Sequence, residues 1–313
     1  MVIDIRQHII TIAAIFLALG TGILIGMALV EDRTMVEQQQ KLIDRLEADF
    51  EELRRDRDLS RAELARAQSE LMVSRRFEEQ AFYAFAKDKL VGERIAIIMG
   101  ENSISEKELK SIQKAIEYSG GFISTIIRVR RTFSIRKDDN AGELMALVGK
   151  GIDQSNEFAK LLAGDLISAI SGAGGFTIVP ALEAMGFISV DGESGRSADQ
   201  ILIVGGSRTK LDKEGAASKE GTSLTDFFKD TGLLLAEAAK SQGIRVVVAE
   251  ASSVTASHMK SYASRRFTTV DSIDTPLGYI SLIYALSGVN GHFGVREGAT
   301  DGVPDIFPGP DSR

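Results

Sequence analysis

Cysteine and tryptophan are both absent from the 313 residues. Without cysteine there are no disulfides, no thiolate metal sites and no cysteine nucleophile, and the compartment is left open. Histidine is scarce, with three copies. His8 borders the first apolar run, and His258 and His292 stand in neither an HExxH nor any other paired spacing. No GxGxxG and no P-loop motif occurs, and the turn Ala251-Ser-Ser-Val254 lacks the GxSxG elbow of a serine hydrolase. Carboxylates are plentiful, but no pattern separates a general acid from solvated side chains. These absences predict a protein that is not an enzyme and carries no cofactor. The formal net charge of −7 argues against a nucleic-acid partner. Proline is rare as well, and three of its five copies fall in the last ten residues.

What is present begins with a long apolar run. Ile9 to Val30 holds 22 residues without a charge. As a helix it measures about 33 Å, against a bilayer core of about 30 Å. We read a transmembrane helix over 9–30, preceded by a short cytoplasmic segment, 1–8. Asp4, Arg6 and His8 flank it on one side, Glu31, Asp32 and Arg33 on the other. The positive-inside preference then puts the N-terminus in the cytoplasm and about 280 residues outside. No A-x-A site follows the run, so it reads as an uncleaved single-pass anchor, with a cleaved signal peptide as the alternative. Ala14, Ala18, Gly22 and Gly26 recur at every fourth position, a spacing that lets membrane helices approach closely. Small residues are also common in membrane helices without any pairing role.

From Glu31 to about Phe85 the chain has no proline and no glycine. Val36, Gln39, Ile43, Leu46, Phe50, Leu53, Arg57, Ser60, Leu64, Ala67 and Leu71 alternate at steps of three and four, flanked by charges. This is a heptad seam, and it predicts a coiled-coil arm over 31–91 that pairs two copies of the chain. Arg57 interrupts the seam near its middle. The competing reading is one amphipathic helix packed on the protein's own domain. Phe77, Phe82, Tyr83 and Phe85 predict the docking of the arm's root onto the domain core.

Residues 92–293 alternate buried-strand and helix patterns. Strands are predicted at 94–99, 122–129, 187–190, 200–204, 245–249 and 267–270. Helices are predicted from the Ser105/Glu108 capping box to Gly120, at 143–148 and 157–170, from Pro180 toward Gly186, and at 223–242, 254–264 and 276–287. The result is an extracytoplasmic α/β domain, a Rossmann-like and mostly parallel sheet with helices on both faces. Its candidate ligand edge comprises Gly100–Ser105, Gly205-Gly206-Ser207 and Glu250–Ser253. Arg128, Arg130, Arg131, Arg136 and Lys137 form a basic patch, read as a solvated edge. The polar loop 205–223 and the Gly-, Pro- and Asp-rich tail 294–313 read as irregular, the tail as poorly ordered.

The chain resembles the MctB family of bacterial envelope proteins. The opening carries the likeness in Arg6-x-His8, Ala14-Ile-Phe16-Leu17-Ala18-Leu19 and Gly22-x-x-x-Gly26. Downstream it rests on Val270-Asp-Ser-Ile-Asp-Thr-Pro-Leu-Gly278 and Gly291-His-Phe-Gly294, where the family more often has Tyr at the position of Phe293. The resemblance implies two roles. One is copper transport or homeostasis, with an outer-membrane pore. The other is that of SteB-like septal proteins, which pair with a SteA-like membrane partner and control a peptidoglycan hydrolase at division. No catalytic or metal residue carries over. Copper prefers Cys, Met and His, and this chain has no HxH, no MxxM and no Met cluster. One α-helix cannot enclose a pore, and the α/β pattern is not that of a spanning barrel. The sequence therefore favours a non-enzymatic, membrane-anchored scaffold. Copper handling is the alternative, and small-molecule binding at the sheet edge is the second alternative.

Overall fold

The computed structural model describes residues 5–101, 103–131, 133, 155–174, 177–192, 197–206, 231–254, 257–296 and 298–305. The chain divides into two compact units, Met1–Val73 and Ser74–Arg313. One helix, α1 (Ile5–Ala86), runs through the first unit and enters the second. Its length follows from the absence of proline throughout and of glycine after Gly26, so nothing before Ala86 breaks the backbone ladder. It stops where Asp88 (φ 59°) and Gly92 (φ 85°) turn left-handed. Phe82 and Ala86 are buried in the second unit's core, while Phe77 and Tyr83 stay exposed. The Phe82 ring lies 5.8 Å from Tyr118 and 6.2 Å from Tyr279, and the Tyr118 hydroxyl donates to the Tyr83 carbonyl at 3.0 Å. The aromatic root is thus a docked joint, as its composition predicts, through Phe82 more than through its neighbours.

The second unit is a seven-stranded sheet in the order β3-β2-β1-β4-β5-β6-β7. Its strands are β1 (Arg94–Gly100), β2 (Phe122–Val129), β3 (Ile188–Asp191), β4 (Gln200–Gly205), β5 (Arg245–Glu250), β6 (Thr268–Val270) and β7 (His292–Phe293). All neighbours are parallel except β3, which runs antiparallel to β2 at one edge. The helices are α2 (Glu106–Tyr118), α3 (Ser155–Ser171), α4 (Ile178–Ala184), α5 (Gly232–Ser241), α6 (Met259–Ala263) and α7 (Pro276–Leu286). Strand side chains alternate between two cores, as period two requires. Ala96, Ile98, Ile201, Ile203, Val246 and Val248 meet α3, α4, α5 and α6 on one face. Ile95, Ile97, Met99, Leu202, Val204 and Val247 meet the end of α1, α2 and α7 on the other. Strands covered on both faces have to be apolar throughout, which is why these runs were legible as parallel-sheet strands.

Local chemistry sets the helix starts. Ser105 and Glu108 close a reciprocal capping box at α2. Thr275 caps α7 by accepting from the Gly278 amide at 3.1 Å, with Pro276 in the first turn. Several expectations need correction. The helix expected at 254–264 shrinks to α6, because residue 254 and residues 257–258 are irregular. Pro180 is the third residue of α4 and does not open it. β7 was not foreseen, and the described residues beyond it are held by hydrogen bonds where a loose tail was expected. The Gly294 amide donates to the Gly302 carbonyl at 2.7 Å and the Asp301 amide to the His292 carbonyl at 3.1 Å. The helix expected at 143–148, most of the loop 205–223, the first turns of the helix expected at 223–242, and residues 306–313 lie outside the described residues.

The tightest backbone approach is at Gly278, where a Cβ would lie 2.0 Å from the Ser272 carbonyl oxygen and 2.9 Å from the Ile273 Cα. Both are main-chain atoms that cannot swing away. Gly278→Ala is expected to cost about 3 kcal/mol through overpacking, despite the better helix propensity of alanine. Gly164→Ala, in α3 with open space around its Cβ position, is expected to be neutral or stabilising by less than about 1 kcal/mol. Urea unfolding followed by tyrosine fluorescence checks both, because all five tyrosines belong to the second unit.

Candidate functional site

Two regions carry the residues that point to function, and each belongs to its own unit. The first is α1. Ala14, Ala18, Gly22 and Gly26 are exposed along it, and a Cβ built at Gly22 or Gly26 meets nothing within 4 Å. Ile9, Ile10, Phe16, Leu17, Ile23, Leu24 and Ile25 are exposed all round the same stretch. A helix that is apolar on every side needs an apolar surrounding, and Arg6–Met27 is long and apolar enough to cross a membrane. The hydroxyls of Thr11 and Thr21 bond back to the carbonyls of Gln7 and Leu17, so neither asks for water. Further along, Ile43, Leu46, Phe50, Leu53, Leu64 and Leu71 are 49–63% exposed. None of these side chains is taken up by a core, so the described chain leaves the seam open. Arg57 is drawn aside by Asp58, whose carboxylate accepts from its Nε at 2.9 Å and its Nη2 at 2.7 Å. The structure thus puts all ten predicted pairing residues on one helix, exposed.

The second region is the carboxyl edge of the sheet, where open α/β folds hold ligands. Several of its described positions are filled by the protein's own groups. At the start of α2, Glu108 Oε2 accepts from the Ser105 amide and hydroxyl, each at 2.6 Å. Glu106 and Glu108 put negative charge in the first turn, where a dinucleotide site would receive a phosphate. Gly206 has φ 105°, and a Cβ there would lie 2.2 Å from Val254 Cγ2. Among the described residues, Val254 packs directly against that turn. Ser207 lies outside the described residues. The basic patch is neutralised in part: Arg128 pairs with Glu106 and Asp191, Arg130 with Glu101, and Arg131 lies over the Phe187 ring. Arg136 and Lys137 lie outside the described residues.

At β5, β6 and β7 the two downstream motifs meet. Buried Asp271 accepts from the amides of Val295 and Arg296, each at 3.0 Å, and its own amide donates to the Phe293 carbonyl at 2.9 Å. Gly294 is pressed on it so closely that a Cβ would lie 2.0 Å from Asp271 Cγ. Asp274 accepts from the Ser252 amide and hydroxyl, each at 2.6 Å. The motif from Val270 to Gly278 is therefore a clasp. Asp271 holds the segment after β7, Asp274 the turn after β5, and Thr275 the start of α7.

Inside this clasp lies Glu250, the last residue of β5 and fully buried. Among the described residues neither carboxylate oxygen meets a donor at good hydrogen-bond geometry, although the Ser257 hydroxyl lies near enough to favour the charged form. Arg296 Nη1 stands 3.6 Å away, and Arg296 Nη2 donates to the Ser252 carbonyl. Burial pushes the Glu250 carboxyl up from its ordinary value. Ser257 and Arg296 pull it down, and Asp271 adds to the rise. Sequence reasoning named the turn after β5 as a ligand edge and missed Glu250, Asp271, Asp274 and Arg296 as a group. The available signal was a lone carboxylate directly after the run Val246–Ala249. Among the described residues no group of three or more His, Asp or Glu is arranged to hold a metal ion.

A raised glutamate is protonated in the folded chain at pH values where the unfolded chain has lost that proton. Its contribution to stability therefore falls as pH rises from the ordinary glutamate range through the raised value. Thermal unfolding of the wild type and Glu250→Gln between about pH 4 and 8 checks this. The melting temperature of the variant relative to the wild type is expected to rise across that window.

Comparison with known proteins matches residues 2–304 to the family described as copper transport outer membrane protein, MctB. The proteins named copper transporter MctB from Mycobacterium bovis and Mycobacterium tuberculosis are each 25% identical to this chain over 327 residues. The alignment covers 95% of this chain and 98% of theirs. With nearly its whole length matched, from the apolar helix through the clasp at Asp271, the chain belongs to the MctB family.

Proposed function

We propose that this protein is a non-enzymatic scaffold, anchored in the bacterial cell membrane by residues 9–30, that works by pairing with a second copy along α1. The observation that carries the reading is the open seam from Ile43 to Leu71. Burying a large apolar side chain contributes about 1.5–3 kcal/mol. Six such residues from each copy compare well with the roughly 4–15 kcal/mol that association costs. Two chains in one membrane, with the same topology, are already parallel and concentrated, which lowers that cost further. The small residues from Ala14 to Gly26 would continue the contact into the bilayer. Arg57, paired with Asp58 in the single chain, would form a polar layer in the seam that fixes register at a cost in stability.

The chemistry of the second unit supports a binding role over a catalytic one. Among the described residues of its carboxyl edge, Glu108, Val254 and Arg296 stand at positions where substrates bind in such sheets. The resemblance to SteB-like proteins gives the setting. The N-terminus is cytoplasmic and the α/β domain extracytoplasmic, and the partners are a SteA-like membrane protein and a peptidoglycan hydrolase at the septum.

A second reading, copper handling, is favoured by the name of the mycobacterial relatives. A pore built from this chain alone is hard to reconcile with an open, mostly parallel sheet. With no cysteine and eight dispersed methionines, the chain is short of soft ligands for Cu(I). In this reading copper moves through an assembly that the scaffold organises.

Ile43→Glu, Leu46→Glu and Leu53→Glu, combined in the full chain in detergent, are expected to convert a dimer into a monomer by light scattering. Pull-down from membranes is expected to lose its partners with that variant and with removal of residues 31–91. A variant that remains dimeric and keeps its partners contradicts the scaffold. Tight, stoichiometric Cu(I) on the purified protein would favour the second reading.

A further inference from the structure

The buried carboxylate of Glu250 is matched by a cation that comes from outside the sheet framework. Arg296 belongs to the segment after β7. The described residues 293–296 and 298–302 are stapled together by Gly294 to Gly302 and by Asp301 to His292, with a bridge between Phe293 and Gly302. Asp271 grips the loop by the amides of Val295 and Arg296. From there the guanidinium reaches the ends of β5 and β6, where this class of fold receives ligands. Its side chain keeps 29% of its surface exposed, whereas that of Glu250 keeps none. The separation of 3.6 Å exceeds the roughly 2.7–2.9 Å of a charge-assisted hydrogen bond. A fully buried carboxylate is therefore held by a loose, solvent-accessible cation, with the Ser252 carbonyl as a second acceptor beside it.

We propose that Glu250 and the Ser252 carbonyl form a recognition site for a guanidinium or ammonium group, and that the loop 293–302 fills this site in cis with Arg296. The loop is a plug: it satisfies the buried charge when no external ligand is present, and it competes with a basic group offered by another molecule. The groups facing the Glu250 carboxylate are Arg296 from the loop, Ser257 from the segment before α6, and Asp271 from the end of β6. Among these described groups only Arg296 is positive, and a cation with N–H donors that keeps the carboxylate charged can take its place, whereas a quaternary ammonium offers no donor. This site is independent of α1 and of any pairing along it.

The test uses the full chain in detergent with methylguanidinium as the probe, read by calorimetry or NMR. Arg296→Ala removes the competitor in cis. Apparent affinity scales with the fraction of site that is free, so this variant is expected to bind at least about tenfold more tightly than the wild type. Adding Glu250→Gln is expected to abolish the gain, and tetramethylammonium is expected not to bind. No gain on Arg296→Ala, or a gain that survives Glu250→Gln, overturns the proposal. Hydrogen exchange on the wild type gives a second route that needs no folded variant. Methylguanidinium is expected to speed exchange of the Gly294 and Asp301 amides while leaving those of β1 and β4 unchanged. Equal exchange with and without saturating probe overturns the plug.

Discussion

Apolar surface without a cover is the constraint on which this protein turns. From Ile9 to Leu71, α1 presents large hydrophobic side chains that its own cores leave exposed. In water such a surface is costly at about 25 cal/mol for each square ångström. The stretch splits into two physical problems. Up to Met27 the helix is apolar on all sides, which lipid answers. Beyond that it is apolar along one seam between charged flanks, which a second amphipathic helix answers. In the proposed reading the same continuous helix would supply both an anchor and a contact surface, without a loop between them.

The second unit has its own economy of charge. Parallel sheets of this order leave a polar edge at the carboxyl ends of their strands, and in enzymes that edge receives substrates. Here the described residues cover part of it. Glu108 caps its own helix, Val254 closes the turn at Gly206, and the Asp271 clasp brings Arg296 over Glu250. The motif segments that mark the family resemblance, Val270–Gly278 and Gly291–Gly294, turn out to be two halves of one contact. Their spacing and composition are explained by structure: Gly294 and Gly278 have no room for a Cβ, and Asp271 holds two amides.

Much of this was legible in the sequence because it is local. The strand from Arg94 to Gly100 is apolar on both faces, and the Ser105/Glu108 pair lies three residues apart. The run to Val30 and the period of three and four after Val36 announce themselves in the same way. What escaped is non-local. Glu250 reads as an ordinary solvated carboxylate at a strand end until Arg296 arrives from 46 residues away. Residues 294–313 read as a loose tail because glycine, proline and aspartate favour turns, yet Gly294 is pressed against Asp271. β7 has two residues, too few for any period. The antiparallel sense of β3 left no mark on its own sequence, since a short edge strand pairs either way.

The claim that two copies meet along α1 is open to one direct measurement, and the absence of native cysteine makes it clean. Single cysteines are placed one at a time through 40–56 in the full chain, and disulfide crosslinking is scored in membranes. Pairing along the seam predicts dimers that peak at Ile43→Cys, Leu46→Cys, Phe50→Cys and Leu53→Cys, with little at Glu47→Cys, Ala48→Cys and Glu51→Cys. Crosslinking that is absent throughout, or uniform with no heptad period, would contradict it.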